Sequence, residues 1–149
     1  MDFADLDLRA ASERGSWVHL AYRGEPIFAD DKKAKPSRVL IRGMGSEAVM
    51  GAFKRVERIE TLRHQRLARV ADKDAEGVLA KSQDDLEAAM ADMIVAAVAE
   101  FENILYSGAV LDCTKENVLK ICGPGTLFFG QVTDAIKDEM RLFTVADSA

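Results

Sequence analysis

Two histidines, two cysteines and one glycine-rich turn carry most of the reactive potential of this sequence, and their spacing matches no familiar catalytic arrangement. His19 lies in an aromatic run and His64 in an arginine-rich one, neither within a recognisable nucleophile–base motif. A structural zinc site needs four ligands at short spacings, and Cys113, Cys122 and the two histidines form no C-x-x-C or H-x₃-H pair. If the residues between Cys113 and Cys122 are helical, a rise of ~1.5 Å per residue sets the two roughly 13 Å apart. That is beyond the ~7 Å across which a disulfide closes. Two free thiols fit a reducing compartment. Gly123-Pro124-Gly125, with Gly130 beyond it, lacks the Gly-Lys-Ser/Thr ending of a phosphate loop and follows no apolar strand of a βαβ unit. It reads as a helix stop followed by a helix start. The sequence is therefore that of a non-enzymatic protein, with no cofactor and no metal.

Charge is the next signal. From Lys54 to Arg69 six basic side chains (Lys54, Arg55, Arg58, Arg63, Arg66, Arg69) meet only Glu57 and Glu60, a local charge of +4. From Ser82 to Thr114 there are seven acidic residues and no Lys or Arg, a charge of −7. A basic stripe can hold phosphates. Here no aromatic platform interleaves with it and no helix-turn-helix pattern surrounds it. Pairing between complementary helices, or between neighbouring subunits of a homo-oligomer, explains the asymmetry more simply than nucleic acid does.

The elements that position these residues follow from periodicity. A chain of 149 residues, 48% apolar and 30% charged with net charge −5, has the composition of one ordinary globular domain. The spacing predicts a short helix over 3–14 ended by Gly15, a strand over 17–22, a turn at Gly24-Glu25-Pro26, a return strand at 27–29 and a third strand over 38–42. These strands make a three-stranded meander, which needs a helical lid. Ser46 is placed to cap a long helix whose apolar face runs Val49, Phe53, Val56, Ile59, Leu62, Val70. The pattern breaks between Asp72 and Ser82 around Gly77, offering a hinge between an α/β N-terminal half and a helical C-terminal half. Ser82-Gln83-Asp84-Asp85 then resembles a capping box opening a second helix, with a stripe from Leu86 through Met90, Met93, Ala97 and Phe101 to Ile104 and Gly108 at its end. Thr114 caps a short third helix. The last helix is expected over about 126–143. The fold class is thus α+β, a small N-terminal antiparallel meander covered by helices and followed by a mainly helical part, all in one domain of residues 1–149.

Leu127, Phe128 and Phe129 are the candidate partner-binding residues. On a helix, three consecutive large apolar side chains fan over about 200°, more than one buried face accepts. Phe129 is the expected outlier, because Phe128 shares the face of Val132, Ala135 and Ile136. The N-terminal Met-Asp-Phe-Ala-Asp is acidic and unlike a signal peptide, and no apolar run approaches the ~20 residues of a membrane span.

The C-terminal third carries Phe101-Glu102-Asn103-Ile104, Gly108, Thr114-Lys115-Glu116-Asn117, Pro124, Gln131-Val132 and Leu142-Phe143. Toward the N-terminus stand Asp5-Leu6-Asp7, Tyr22-Arg23-Gly24-Glu25-Pro26, Val39-Leu40-Ile41-Arg42-Gly43 and Ser46. Together these patterns resemble small proteins encoded among siphophage tail genes, the tail assembly chaperones and related phage structural proteins. Phe101 stands where that family usually has Trp, and the loop after Pro124 is apolar rather than basic and aromatic. The resemblance implies a protein-binding assembly chaperone in the host cytoplasm, acting on the tape-measure protein, the major tail protein, or both. A virion structural component (head, connector or tail accessory protein) is the runner-up, and a small nucleic-acid-binding regulator the third reading.

Overall fold

Asp7 opens the first α-helix, α1 (Leu8–Arg14), by accepting hydrogen bonds from the backbone of Arg9 and Ala10 at 3.0 and 3.2 Å. Gly15 ends it with φ +72°, and a Cβ there would lie 2.6 Å from the Ile41 carbonyl oxygen, so only glycine fits. The computed structural model describes residues 2–70 and 72–143. After a 3₁₀ turn at Phe3–Leu6 and α1 come β1 (Ser16–His19), β2 (Ala21–Tyr22), β3 (Glu25–Pro26), β4 (Arg38–Ile41), α2 (Glu47–Leu67) and α3 (Asp72–Ala97). Then follow β5 (Val98–Glu102), β6 (Leu105–Tyr106), β7 (Ala109–Val110), α4 (Lys115–Cys122), α5 (Phe129–Lys137) and a closing 3₁₀ turn, Glu139–Phe143. The protein is α+β, with small antiparallel sheets and long helices.

The main sheet has the order β1-β4-β5, all antiparallel. Its third strand is therefore not the expected 27–29 segment but β5, which the apolar spacing had assigned to a helix. The register explains the misreading. Val39 pairs with Phe101 and Ile41 with Val98, with an irregularity between Leu40 and Ile41. The extra residue lets Val98 and Phe101, three apart, share the inner face of the sheet. A spacing of three is also the signature of a helix face. Residues 21–26 form a separate two-residue ribbon, β2–β3, and Phe28 makes only an isolated bridge to Pro36.

Val39 and Ile41 are fully buried and join Leu20, Val49, Ile94, Ala97, Val118, Cys122, Val132 and Ile136 in one core. α5 lies against β4. α2 packs mainly along α3 and gives the core Val49 and Ala52 from its first turns, with Phe53 half-buried beside them. The pattern break at 72–82 is no break in the backbone, since α3 is continuous over 26 residues. Ser82 opens no helix; its hydroxyl donates to the Val78 carbonyl at 2.6 Å. Polarity rises there because little is available to pack against. Between Glu57 and Lys81 no described side chain is fully buried.

Ser46 occupies the N-cap position of α2 with extended backbone but makes no side-chain cap. The Glu13 carboxylate of α1 accepts from the Glu47 N–H instead, at 2.9 Å. Gly108 ends no helix: with Ser107 it forms the two-residue turn of the β6–β7 hairpin, at φ +52° and +81°. Arg23 and Gly24 do the same for β2–β3, at φ +52° and +80°. None of the described helices is long and apolar enough to cross a membrane.

Candidate protein-binding surface

The C-terminal segment is held by local bonds that the sequence motifs supply. Asn103 turns the chain after β5 at φ +55°, donates to the Pro36 carbonyl at 2.9 Å and accepts from the Ser37 hydroxyl at 2.7 Å through its own carbonyl. Thr114 caps α4 by accepting from the Asn117 N–H at 3.2 Å, and the Asn117 amide donates back to the Asp112 carbonyl at 2.9 Å. The Asn-Ile and Thr-x-Glu-Asn patterns thus fix backbone turns. At the end of α4 a Cβ on Gly123 would sit 2.5 Å from the Leu119 carbonyl oxygen, and the Thr126 hydroxyl donates to the Gly123 carbonyl at 2.7 Å.

That turn sets the fate of the three candidate residues. The last helix begins at Phe129 rather than Thr126 and stops at Lys137, so Leu127 and Phe128 precede it and do not follow helical spacing. Leu127, not Phe129, is the outlier, with 65% of its surface exposed. Phe129 packs against the core. Phe128 helps line an apolar cavity of about 130 Å³. Leu20 contributes from just before the first ribbon and Ile27 and Phe28 from just after it, Ile104 and Leu105 from the foot of the second hairpin, and Ile121 from α4.

Both hairpins add exposed apolar side chains outside the candidate triplet. Tyr22 is exposed beside the first turn, and Leu105, Tyr106 and Val110 are exposed on the second, Val110 by 69%. Their signal was Tyr-Ser-Gly-Ala and Tyr-Arg-Gly-Glu, two-residue turns between short apolar runs. Lys120 stands over the Tyr106 ring at 4.7 Å and Arg23 over Tyr22 at 5.3 Å, partly screening the aromatic faces. Gln131 ties α5 to the first ribbon: its amide accepts from the Ala21 N–H at 3.0 Å and donates to the Ala21 carbonyl at 2.6 Å.

Of the histidines and cysteines, His19 is held by its neighbours and both thiols are raised. His19 Nε2 donates to the Ile27 carbonyl at 2.7 Å, and its ring meets Phe28 edge-on at 4.9 Å. His64 is exposed on α2. Burial, then the neighbouring Cys113, pushes the Cys122 thiol up to about 12. Cys113 is also raised, by burial and Glu100, with Arg42 opposing. Both thiols stay protonated at neutral pH and are poor nucleophiles. Among the described residues no group of three His, Cys, Asp or Glu side chains could hold a metal ion. Asp84 and Glu87 line the groove beside Gly123 and Pro124, placing negative charge where a phosphate would have to sit. Comparisons with protein-family models, curated proteins and solved structures gave no match.

Proposed function

We propose that the protein is a non-enzymatic assembly chaperone of a tailed phage, binding the tape-measure protein, the major tail protein, or both, in the host cytoplasm. The observation that carries this reading is the apolar cavity beside Phe128, with exposed Leu127 next to it in the chain and exposed Leu105 and Tyr106 on the hairpin whose foot lines it. Its volume of about 130 Å³ is close to the ~150 Å³ of an apolar cavity that accepts benzene. It therefore has room for one large apolar side chain. A long amphipathic helix with an unpaired stripe supplies such side chains and aggregates when they stay exposed. The sequence resemblance to tail-assembly proteins supplies the partner class.

A chaperone leaves when assembly ends. Quantitative mass spectrometry of purified particles should find the chain absent while the tape-measure and major tail proteins are abundant. Stoichiometric presence in the particle would replace this reading with that of a virion structural component.

A further inference from the structure

The helical pair α2–α3 extends from the core as an arm. From Glu57 to Lys81 none of its described side chains is fully buried. Ile59, Leu67, Val70 and Val78 are only half-buried, while Leu62 and Leu79 are 41% and 46% exposed. At 1.5 Å per residue, the part of α2 beyond Val56 reaches roughly 16 Å. Helices of this length are marginal in water unless an apolar face is covered by tertiary or quaternary packing. The arm also carries unspent charge. From Lys54 to Leu67 α2 carries five basic side chains against Glu57 and Glu60, with Arg69 just beyond its end, and α3 holds the acidic run Asp84, Asp85, Glu87, Asp92, yet Arg55–Asp92, at 3.1 Å, is the only ion pair joining the two helices among the described residues.

We propose that the arm is a self-association device that packs against the arm of a second copy of this chain, α2 of each against α3 of the other. The level of Arg55 and Asp92 in the antiparallel pair sets Arg58 to Arg63 alongside Asp84 to Glu87. A twofold pairing of arms side by side then brings each basic segment against the partner's acidic one, and covers Leu62 and Leu79 in a four-helix arrangement. The charge pattern is self-complementary, which favours a second copy over a polyanion: a nucleic acid laid on α2 would run beside the carboxylates of α3.

Charge exchange tests this. Variant one carries Arg58→Glu and Arg63→Glu; variant two carries Asp84→Lys and Glu87→Lys. In sedimentation equilibrium the full wild-type chain should be a dimer at low salt, weakened by high salt. Each variant alone should dimerise roughly tenfold or more weakly. An equimolar mixture of the two should regain the dimer, because each then presents what the other needs. Circular dichroism establishes that each variant keeps its helix content. A wild-type chain that stays monomeric at low salt overturns the proposal, whether or not the variants fold. So does a dimer indifferent to salt and to both variants, or a mixture of folded variants that remains monomeric. Salt-sensitive capture of duplex DNA by a monomeric chain would assign the arm to nucleic acid instead.

Discussion

Gln131 offers a sharp test of how the C-terminal helix is tied to the first ribbon. Its amide satisfies both backbone groups of Ala21, at 3.0 and 2.6 Å, across 110 residues of chain. A net contribution of about 0.5–1.5 kcal/mol per hydrogen bond, with a larger penalty when a buried partner is left unpaired, sets the scale. Both residues are half-buried, so water reaches part of the gap. Gln131→Ala should therefore cost about 1.5–3 kcal/mol, read from urea melts. At roughly 2–4 °C per kcal/mol for a chain of this size, that lowers the melting temperature by about 3–12 °C. Gln131→Glu keeps the shape and the acceptor for Ala21 N–H but loses the donor and places a carboxylate against the Ala21 carbonyl. Its loss at neutral pH should equal or exceed that of Gln131→Ala. The protonated carboxyl can donate to that carbonyl, so folding favours the neutral form and raises the pKa of the new carboxyl above its unfolded value of about 4.3. The deficit relative to wild type is then present above the folded pKa and shrinks as pH falls through it. A loss below about 0.5 kcal/mol in Gln131→Ala would show that the clamp contributes nothing and would refute the reasoning.

Other outcomes follow from burial and pairing. Leu127→Ser should cost less than about 1 kcal/mol, whereas Phe129→Ser, which exposes the core, should cost about 2–4 kcal/mol; a reversed order in denaturant melts would overturn the placement of these side chains. The Ser46 hydroxyl is buried and without a hydrogen-bond partner, so Ser46→Ala should be neutral or stabilising by up to about 1 kcal/mol. A loss of about 1 kcal/mol in the same melts would mean that Ser46 caps α2 after all. Because burial holds the Cys122 thiol up at about 12 in the folded chain, well above its ordinary value of 9.0, the unfolded state alone loses that proton between those values. Stability should fall across that window as pH rises, by up to about 1.4 kcal/mol per unit. Cys122→Ala should show a shallower decline, and an equal slope in the two proteins would contradict the assignment.

The cap at Thr114 was readable in the sequence, whereas those expected of Ser46, Ser82 and Gly108 were not, and neither was long-range pairing. Thr114 and the Gly123 stop act within a few residues of themselves, so their neighbours suffice to place them. The strand expected over 17–22 was legible only in part: β1 ends at His19, and Leu20 just after it is buried. β5 was lost because a bulge gave a strand the spacing of a helix. The continuity of α3 was lost because an arm with little to bury shows little apolar periodicity; Gly77, exposed there, costs a helix only about 1 kcal/mol. Among the candidate residues Phe129 was the expected outlier, whereas Leu127 is the exposed one. The error came from extending helical geometry three residues too early, ahead of a turn whose bonds involve Gly123 and Thr126.

Co-expression with the tape-measure protein tests the central proposal most directly. The wild-type chain should keep the tape-measure protein soluble and co-purify with it. A chain carrying Leu127→Ser and Val110→Ser, both at exposed positions, should remain folded by circular dichroism yet lose most of that capture. A tape-measure protein equally soluble or equally aggregated with and without the wild-type chain, and never co-purifying with it, would contradict the chaperone function.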